Sequence, residues 1–556
     1  MQPRELLDVS LDVKNETVRE LIMKVTRGEW RLYLPQFQRD FEWDEDDIKD
    51  FLDSIVRNLP VGSIILWKPA GRIEDDPFAT PLMDVHEARL HGESFYLLDG
   101  QQRLTSLLLL YNGWKITRMG SEISRSTISY MPAQNKLIVG EKGIDLSALV
   151  RGYLEGTFDS VIKSHGYDEK YREALVNVAR RIVEYNIPIY VVKTLTEGSR
   201  VLGEMAEAFV RINKAGVRIG TVELMLSFLA GMVSGGFSKG VRRLYECVKG
   251  FNLDLNILIR FVLSNFGIKQ TVFSNVEQFK SSVEKVRFDE DVLRRSETSI
   301  KLVRDFLYKE LGLDDCKVIP SKVSLIPIAK YFYERQLTST NELSDEDRRA
   351  IAGWFMVANM KGRYSASVNS RLQEDLEVVS KSSRAFPYNQ LMSRMGERYK
   401  MREADVERGN SVNVLKRQGL QYLFLLYVLL KKEGAEDLDG KLLRAKSYSD
   451  LHKHHIFPKE VLERYDVLPD DPDEKEVFVS GLGNITFVDR SLHEGIPKEP
   501  PDAEPSHYLP KFPALRTHFI PAREELWKPE RFEEFKHERV KEIYKAAKKH
   551  FPQVVE

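Results

Sequence analysis

SFYLLDGQQRLTSLLLLYNGW (94–114) is the stretch on which the front of this chain turns. Phe95 to Leu98 read as a buried strand, Gly100 supplies a tight turn, and a helix starts at once with Gln101. Working outward, RLYLP (31–35), GSIILWK (62–68) and NIPIYVVK (186–193) have the same strand character. Between them lie helical patterns, ETVRELIMKV (16–25) and DEDDIKDFLDSIVRNL (44–59). The second opens on acids that suit a helix N-terminus and aligns Ile48, Phe51, Leu52, Ile55 and Leu59 on one face, with Pro60 as its stop. Strands alternating with helices predict an α/β domain.

Further along, EMAEAFVRINKAGVRIGTVELMLSFLAG (204–231) reads as helix, polar turn, helix. Residues 232–440 are mainly helical, without a repeat or a strand pattern, and RYSASVNSRLQEDL (363–376) reads as a solvated loop. The last 110 residues gather proline, histidine and short strands. The chain is therefore expected to be an α+β multidomain protein: an α/β domain over 1–231, a helical connector over 232–440 and a third domain over 441–556. A length of 556 residues exceeds what one core supports. The net charge of -1 gives no global basic field, so any nucleic-acid surface must be local. Two cysteines, Cys247 and Cys316, without a CxxC spacing, argue against a disulfide framework and a cysteine zinc site. The polar start is no signal peptide, and YLFLLYVLL (422–430) is too short to span a membrane, so a cytoplasmic location without membrane contact is expected.

Eight of the eleven histidines lie from His452 onward, where an even scatter would place about two. YSDLHKHHIFPKEVL (448–462) reads as a strand ending at Pro458. GLGNITFVDRSLHEGI (481–496) reads as a turn, a strand over Ile485–Val488, and a helical turn capped by Asp489 or Ser491 that carries His493. Such a strand–hairpin–helix can bring His454 and His493 to one divalent cation, which would neutralise a phosphate and a departing 3′ oxygen. His455, on the other face of the strand, is free to act as general base, and Asn484 can bond across the hairpin. His452, His507 and His518 are set aside as non-ligands. Lys498, Lys511 and Arg516 are candidate phosphate contacts.

HHIFPK (454–459), LGNIT (482–486) and LHEGIPKEPPDAEPSHYL (492–509) resemble the HNH (ββα-metal) nucleases, specifically the variant fused to GmrSD-like restriction enzymes. The resemblance implies that His454 is a metal ligand, His455 the base and Asn484 the residue that structures the hairpin. The helix ligand of that family is commonly Asn; here the matching position is His493.

LLDGQQRLTSL (97–107) places Asp99 and Gly100 at a strand's carboxyl end and Arg103 in the first turn of the next helix, a natural anion site. Arg103 is a bidentate phosphate donor, and Gln101 and Gln102 can orient a water or a phosphate oxygen. The residues alone leave an ordinary capped helix as an equal alternative. PQFQRDFEW (35–43), LPVGSIILW (59–67), DGQQRLTSL (99–107) and FVRINKAGVRI (209–219) occur in the order seen in the ParB-like (ParB/sulfiredoxin-like) N-terminal domain of the GmrSD-like family. That likeness implies nucleotide binding and hydrolysis through Asp99, Gly100, Gln101, Gln102 and Arg103, with Gln38, Arg39 and Asn213 contributing. Phe41 and Trp43 read as core residues. No GxxxxGK[ST] is present, so this is not a P-loop enzyme.

Together these readings imply a defence nuclease of the modification-dependent (type IV) restriction kind. It would use Mg2+ or Mn2+ and a nucleoside triphosphate, GTP ahead of ATP, and act on modified or phage DNA, with a homo-oligomer open. The competing readings are a ParB-like nucleotide switch with an inactive HNH domain, and an RNA-directed HNH toxin.

Overall fold

The computed structural model describes residues 9–34, 41–70, 72–75, 79–85, 92–164, 169–194 and 235–556, except 284, 288, 383, 397–398, 438, 494, 497–500 and 512–514. The chain divides into two compact units, Met1–Val233 and Ser234–Glu556.

The first unit is mixed α/β. It runs β1 (Val9–Thr17), α1 (Val18–Thr26), β2 (Trp30–Leu34), α2 (Glu45–Val56), β3 (Ile64–Lys68), β4 (Thr80–Pro81), β5 (Glu93–Asp99) and α3 (Gln101–Tyr111). Five short strands follow, β6 (Lys115–Arg118), β7 (Ser121–Ser124), β8 (Ile128–Met131), β9 (Lys136–Val139) and β10 (Ile144–Asp145). Then come α4 (Leu146–Glu155), α5 (Phe158–Ser164), α6 (Arg172–Val183) and β11 (Asn186–Thr194). The main sheet has six strands in the order β1-β11-β3-β5-β2-β4. Within it β11–β3 and β2–β5 are parallel and the other pairs antiparallel.

The four expected strands all lie in this sheet. β1 was not foreseen, because VSLDVKNET is too polar to read as a strand; it lies at the sheet edge and pairs with β11 from Val9↔Thr194 to Thr17↔Asn186. Helix α2 starts where its acids predict. The Asp44 carboxylate accepts from the Asp47 N–H at 3.0 Å, and the Asp47 carboxylate accepts from the Asp44 N–H at 3.2 Å, a reciprocal cap. Ile48, Phe51, Leu52 and Ile55 are buried as expected. Leu59 is not: the helix ends at Val56, Asn58 turns left-handed (φ 58°), and Leu59 is 49% exposed. Helix α3 is buried on nearly every side, with Leu104, Leu107, Leu108, Leu109 and Leu110 fully inside. Each contributes about 1.5–3 kcal/mol relative to exposure.

From Gly235 to Lys432 the second unit is helical, with no strand among the described residues. Among its helices are α7 (Glu290–Leu311), α8 (Leu325–Glu334), α9 (Asp345–Met360), α10 (Val368–Ser380) and α11 (Leu420–Lys432). The apolar run 422–430 lies inside α11 and is wholly buried, and no described helix is long and apolar enough to cross a membrane. The stretch 363–376 is not a loop. Arg363 and Tyr364 are buried against Asp375, at 2.9 and 2.7 Å, and α10 begins at Val368. After α11 come β12 (Leu451–His455), β13 (Ile485–Asp489), a four-residue helix α12 (Arg490–His493) and the C-terminal helix α13 (Phe532–His550).

Candidate functional site

The histidine-rich segment forms a two-stranded antiparallel hairpin. Register pairs His452 with Val488, His454 with Thr486 and His455 with Ile485. Strand alternation puts His452 and His454 on one face. Asp489 then caps α12, accepting from the Ser491 N–H at 2.9 Å, and Lys446 holds that carboxylate at 3.1 Å. The cap delivers His493 to the face that carries His452 and His454. The His454 and His493 ring centres are 5.3 Å apart at 70°, and those of His452 and His493 are 3.9 Å apart at 33°.

His454 is 4% exposed. Its Nε2 lies 3.1 Å from the Tyr508 hydroxyl, whose proton goes to the Ile456 carbonyl at 2.6 Å. With that proton spent, Nε2 must be the donor, which leaves Nδ1 of His454 as the lone-pair nitrogen. On the next residue, His455 Nε2 lies 3.2 Å from Ser480 Oγ. Burial holds His454 well below the ordinary imidazole range, assisted by the neighbouring rings of His493 and His455. Burial likewise lowers His455, and pulls His452 down to about 4 with help from His493 and Arg490. All three are therefore neutral at pH 7, the form that accepts a proton or donates a lone pair to a metal.

Two imidazoles sharing one cation at about 2.1 Å from nitrogen to metal place their ring centres roughly 5 Å apart. His454 and His493 have that relation. Among the described residues no three His, Cys, Asp or Glu side chains are grouped to hold a metal ion. A cation here would thus rest on two imidazoles and complete its shell with water and phosphate oxygens. Asn484 is fully buried. Its carboxamide accepts from the Phe457 N–H at 2.7 Å and donates to the carbonyls of Phe457 and Val479, both at 2.9 Å. It clamps the chain that leaves His455.

Sequence reading missed the supports. Behind the hairpin, Thr486 donates to His518 Nδ1 at 2.7 Å while His518 Nε2 donates to the Glu436 carbonyl at 2.8 Å. Arg539 of α13, also fully buried, donates to the carbonyls of Leu482, Gly483 and Ile485 and of His518, at 2.8–3.2 Å. Tyr508 at least lies in a stretch singled out for resemblance; Arg539 carries no local signal. His507 donates to the Pro501 carbonyl at 2.5 Å, away from the imidazole cluster. Arg516 is exposed, Lys511 is described only in its backbone, and Lys498 lies outside the described residues.

At the other candidate site, Gly100 is the N-cap of α3 at φ 94°, with no side-chain cap, and a Cβ there would sit 2.9 Å from Ile64 Cγ1. Both facts demand glycine. Arg103 donates to the Val61 carbonyl at 3.0 Å and pairs with Asp99 at 2.8 Å. It packs so closely over Gly62 that a Cβ on that glycine would lie 2.1 Å from its Nη1. Gln102 accepts from the N–H groups of Glu42 and Trp43 at 3.0 and 3.2 Å. Phe41 and Trp43 pack on the core, as expected. Gln101 differs from its neighbours: it is 7% exposed and its Nε2 has no hydrogen-bond partner among the described residues. Gln38, Arg39 and Asn213 lie outside the described residues.

A mixed sheet with an uncapped strand–helix junction, in a chain that also carries a helical unit with an imidazole hairpin, narrows the class of protein considerably. Residues 18–230 match the model of the GmrSD restriction endonuclease, N-terminal domain, which supports a GmrSD-like family. An uncharacterized protein of Methanocaldococcus jannaschii is 23% identical over 501 residues, spanning 82% of this chain and 80% of that protein.

Proposed function

We propose that this protein is a DNA endonuclease of antiphage defence, of the modification-dependent restriction kind. In this reading the hairpin and α12 form an HNH nuclease centre, and the N-terminal unit, ParB-like, answers to a nucleotide. The observation that carries the reading is the 5.3 Å, 70° relation of His454 and His493 beside a neutral His455. The match of residues 18–230 to a restriction-endonuclease domain supports it.

His454 and His493 would hold Mg2+ or Mn2+, which when bound neutralises the scissile phosphate and the departing 3′ oxygen. His455 takes a proton from the attacking water, with Ser480 fixing its ring. Asn484 keeps the strand end that carries it in place. Lys498, Lys511 and Arg516 are assigned to the DNA backbone. In the N-terminal unit the N-terminal end of α3 and Gln101 Nε2, which has no hydrogen-bond partner among the described residues, suit the phosphates of GTP or ATP. Asp99 and Arg103 brace that junction, and Gln38, Arg39 and Asn213 are assigned to the same pocket.

The test is supercoiled plasmid, unmodified and phage-modified, with Mg2+ or Mn2+, with and without GTP. Nicking or linearisation by the wild type and its loss in His455→Ala are expected. Equal cleavage by both proteins would remove the base assignment, and no cleavage under any condition would overturn the nuclease reading.

A further inference from the structure

His452 is the ring nearest to His493, yet its geometry is wrong for a ligand. Ligand nitrogens offer their lone pairs in the plane of the ring. Two rings stacked 3.9 Å apart and inclined by only 33° cannot aim both lone pairs at one ion about 2.1 Å away. His454, at 70° to His493, can share one with it.

The element that carries His493 is weak on its own. Helix α12 has four residues, too few to fix a side chain through its own turns. Its start is pinned by Asp489 and Lys446, and past its end the Ile496 N–H donates to the His493 carbonyl at 3.1 Å, but these contacts hold the backbone and do not set the plane of the His493 ring. The ring of His452 projects from β12, a strand held in register along its whole length. It supplies a flat, rigid surface at that point.

We infer that His452 is a positioning residue: its ring stacks on His493 and sets the plane in which that imidazole meets a cation. The inference rests on the nuclease reading above, and it assigns His452 a role through its face, not its nitrogens. A phenyl ring can therefore replace it, whereas a side chain without a ring cannot.

The experiment is calorimetric titration of Mn2+ into the full chain, metal-free beforehand, for wild type and for His452→Ala, His452→Phe, His454→Ala and His493→Ala. Circular dichroism and melting in chelator check that each variant is folded. His452→Ala should weaken Mn2+ binding about tenfold or more, in the range of supporting residues around metal ligands. His452→Phe should stay within about threefold of wild type, because the aromatic stack survives. Unchanged binding in His452→Ala, with binding lost in His454→Ala, would overturn the inference alone. Equal losses in His452→Ala and His452→Phe would also overturn it, because the nitrogens would then be the active part. If wild type binds no Mn2+, or His454→Ala and His493→Ala bind as well as wild type, the nuclease site itself fails and the inference with it. Should His452→Ala not fold, His452→Leu replaces it, with the same expected loss.

Discussion

The hairpin and the strand–helix junction are both short motifs dense in polar residues, but they spend those residues differently. In the hairpin the proposed ligand and base side chains are distinct from those that carry the structure: Asn484, His518, Tyr508 and Arg539 do the holding. In DGQQR the conspicuous side chains are themselves the structure. Arg103 is committed to Asp99 and Val61, and Gln102 to the backbone at Glu42 and Trp43. Among the described residues, Gln101 Nε2 is the side-chain donor of this motif that is buried without a hydrogen-bond partner. A motif therefore marks a place; which of its residues meet the ligand depends on which ones the fold has already used.

The largest effect expected is on the hairpin. His455→Ala should lower plasmid cleavage by about 10²–10⁴-fold while thermal melting stays as in wild type. Asn484→Ala should instead act through stability. It leaves three buried backbone groups unpaired and should destabilise the second unit by about 4 kcal/mol, read from denaturant unfolding. The two variants would separate chemistry from scaffold within one hairpin.

Acid should also single out the second unit. Burial pulls His518 down to about 4, against about 6.5 when unfolded, so the unfolded chain takes up its proton first as pH falls. The stability present above pH 6.5 should be lost on the way to pH 4, by about 3 kcal/mol for this group, and His518→Gln should flatten that slope. Hydrogen exchange at a series of pH values reads each unit separately.

At the junction the comparison predicts a reversal of the roles that the sequence suggests. Arg103→Met should destabilise the first unit by about 2 kcal/mol, seen as faster exchange over α3, because its Asp99 partner is mostly buried. Gln101→Leu should leave exchange unchanged and weaken GTP or ATP binding about tenfold. If Arg103→Met abolishes nucleotide binding without touching stability, the contrast between the two sites collapses.

Much of this was legible in the residues because it is local. The strands over 31–35, 62–68, 94–100 and 186–193, the capped helix after Asp44, and the hairpin with a cap at Asp489 or Ser491 follow from periodicity and turn chemistry within ten or so residues. What was missed is long-range or weakly patterned. β1 is an edge strand with charges on it, and β6 to β10 are too short for their alternation to show. The contacts of Tyr508 with His454 and of Arg539 with the turn at Leu482 join residues more than fifty positions apart. His452 is the instructive case. Its spacing of two from His454 places it on the same face, but its close, tilted ring contact with His493 depends on where α12 docks.

The arginine in the middle of the last helix has a practical consequence. Among the described residues Arg539 is buried without a carboxylate partner, and its donors are met by the carbonyls of Leu482, Gly483 and Ile485, at the turn that enters β13, and by that of His518. Removing the helix would leave those carbonyls bare inside the protein, and removing the hairpin would strand a cation there. Neither piece is portable. Attempts to graft the imidazole centre onto another scaffold, or to trim the chain's last twenty residues, should yield insoluble protein instead of a smaller enzyme.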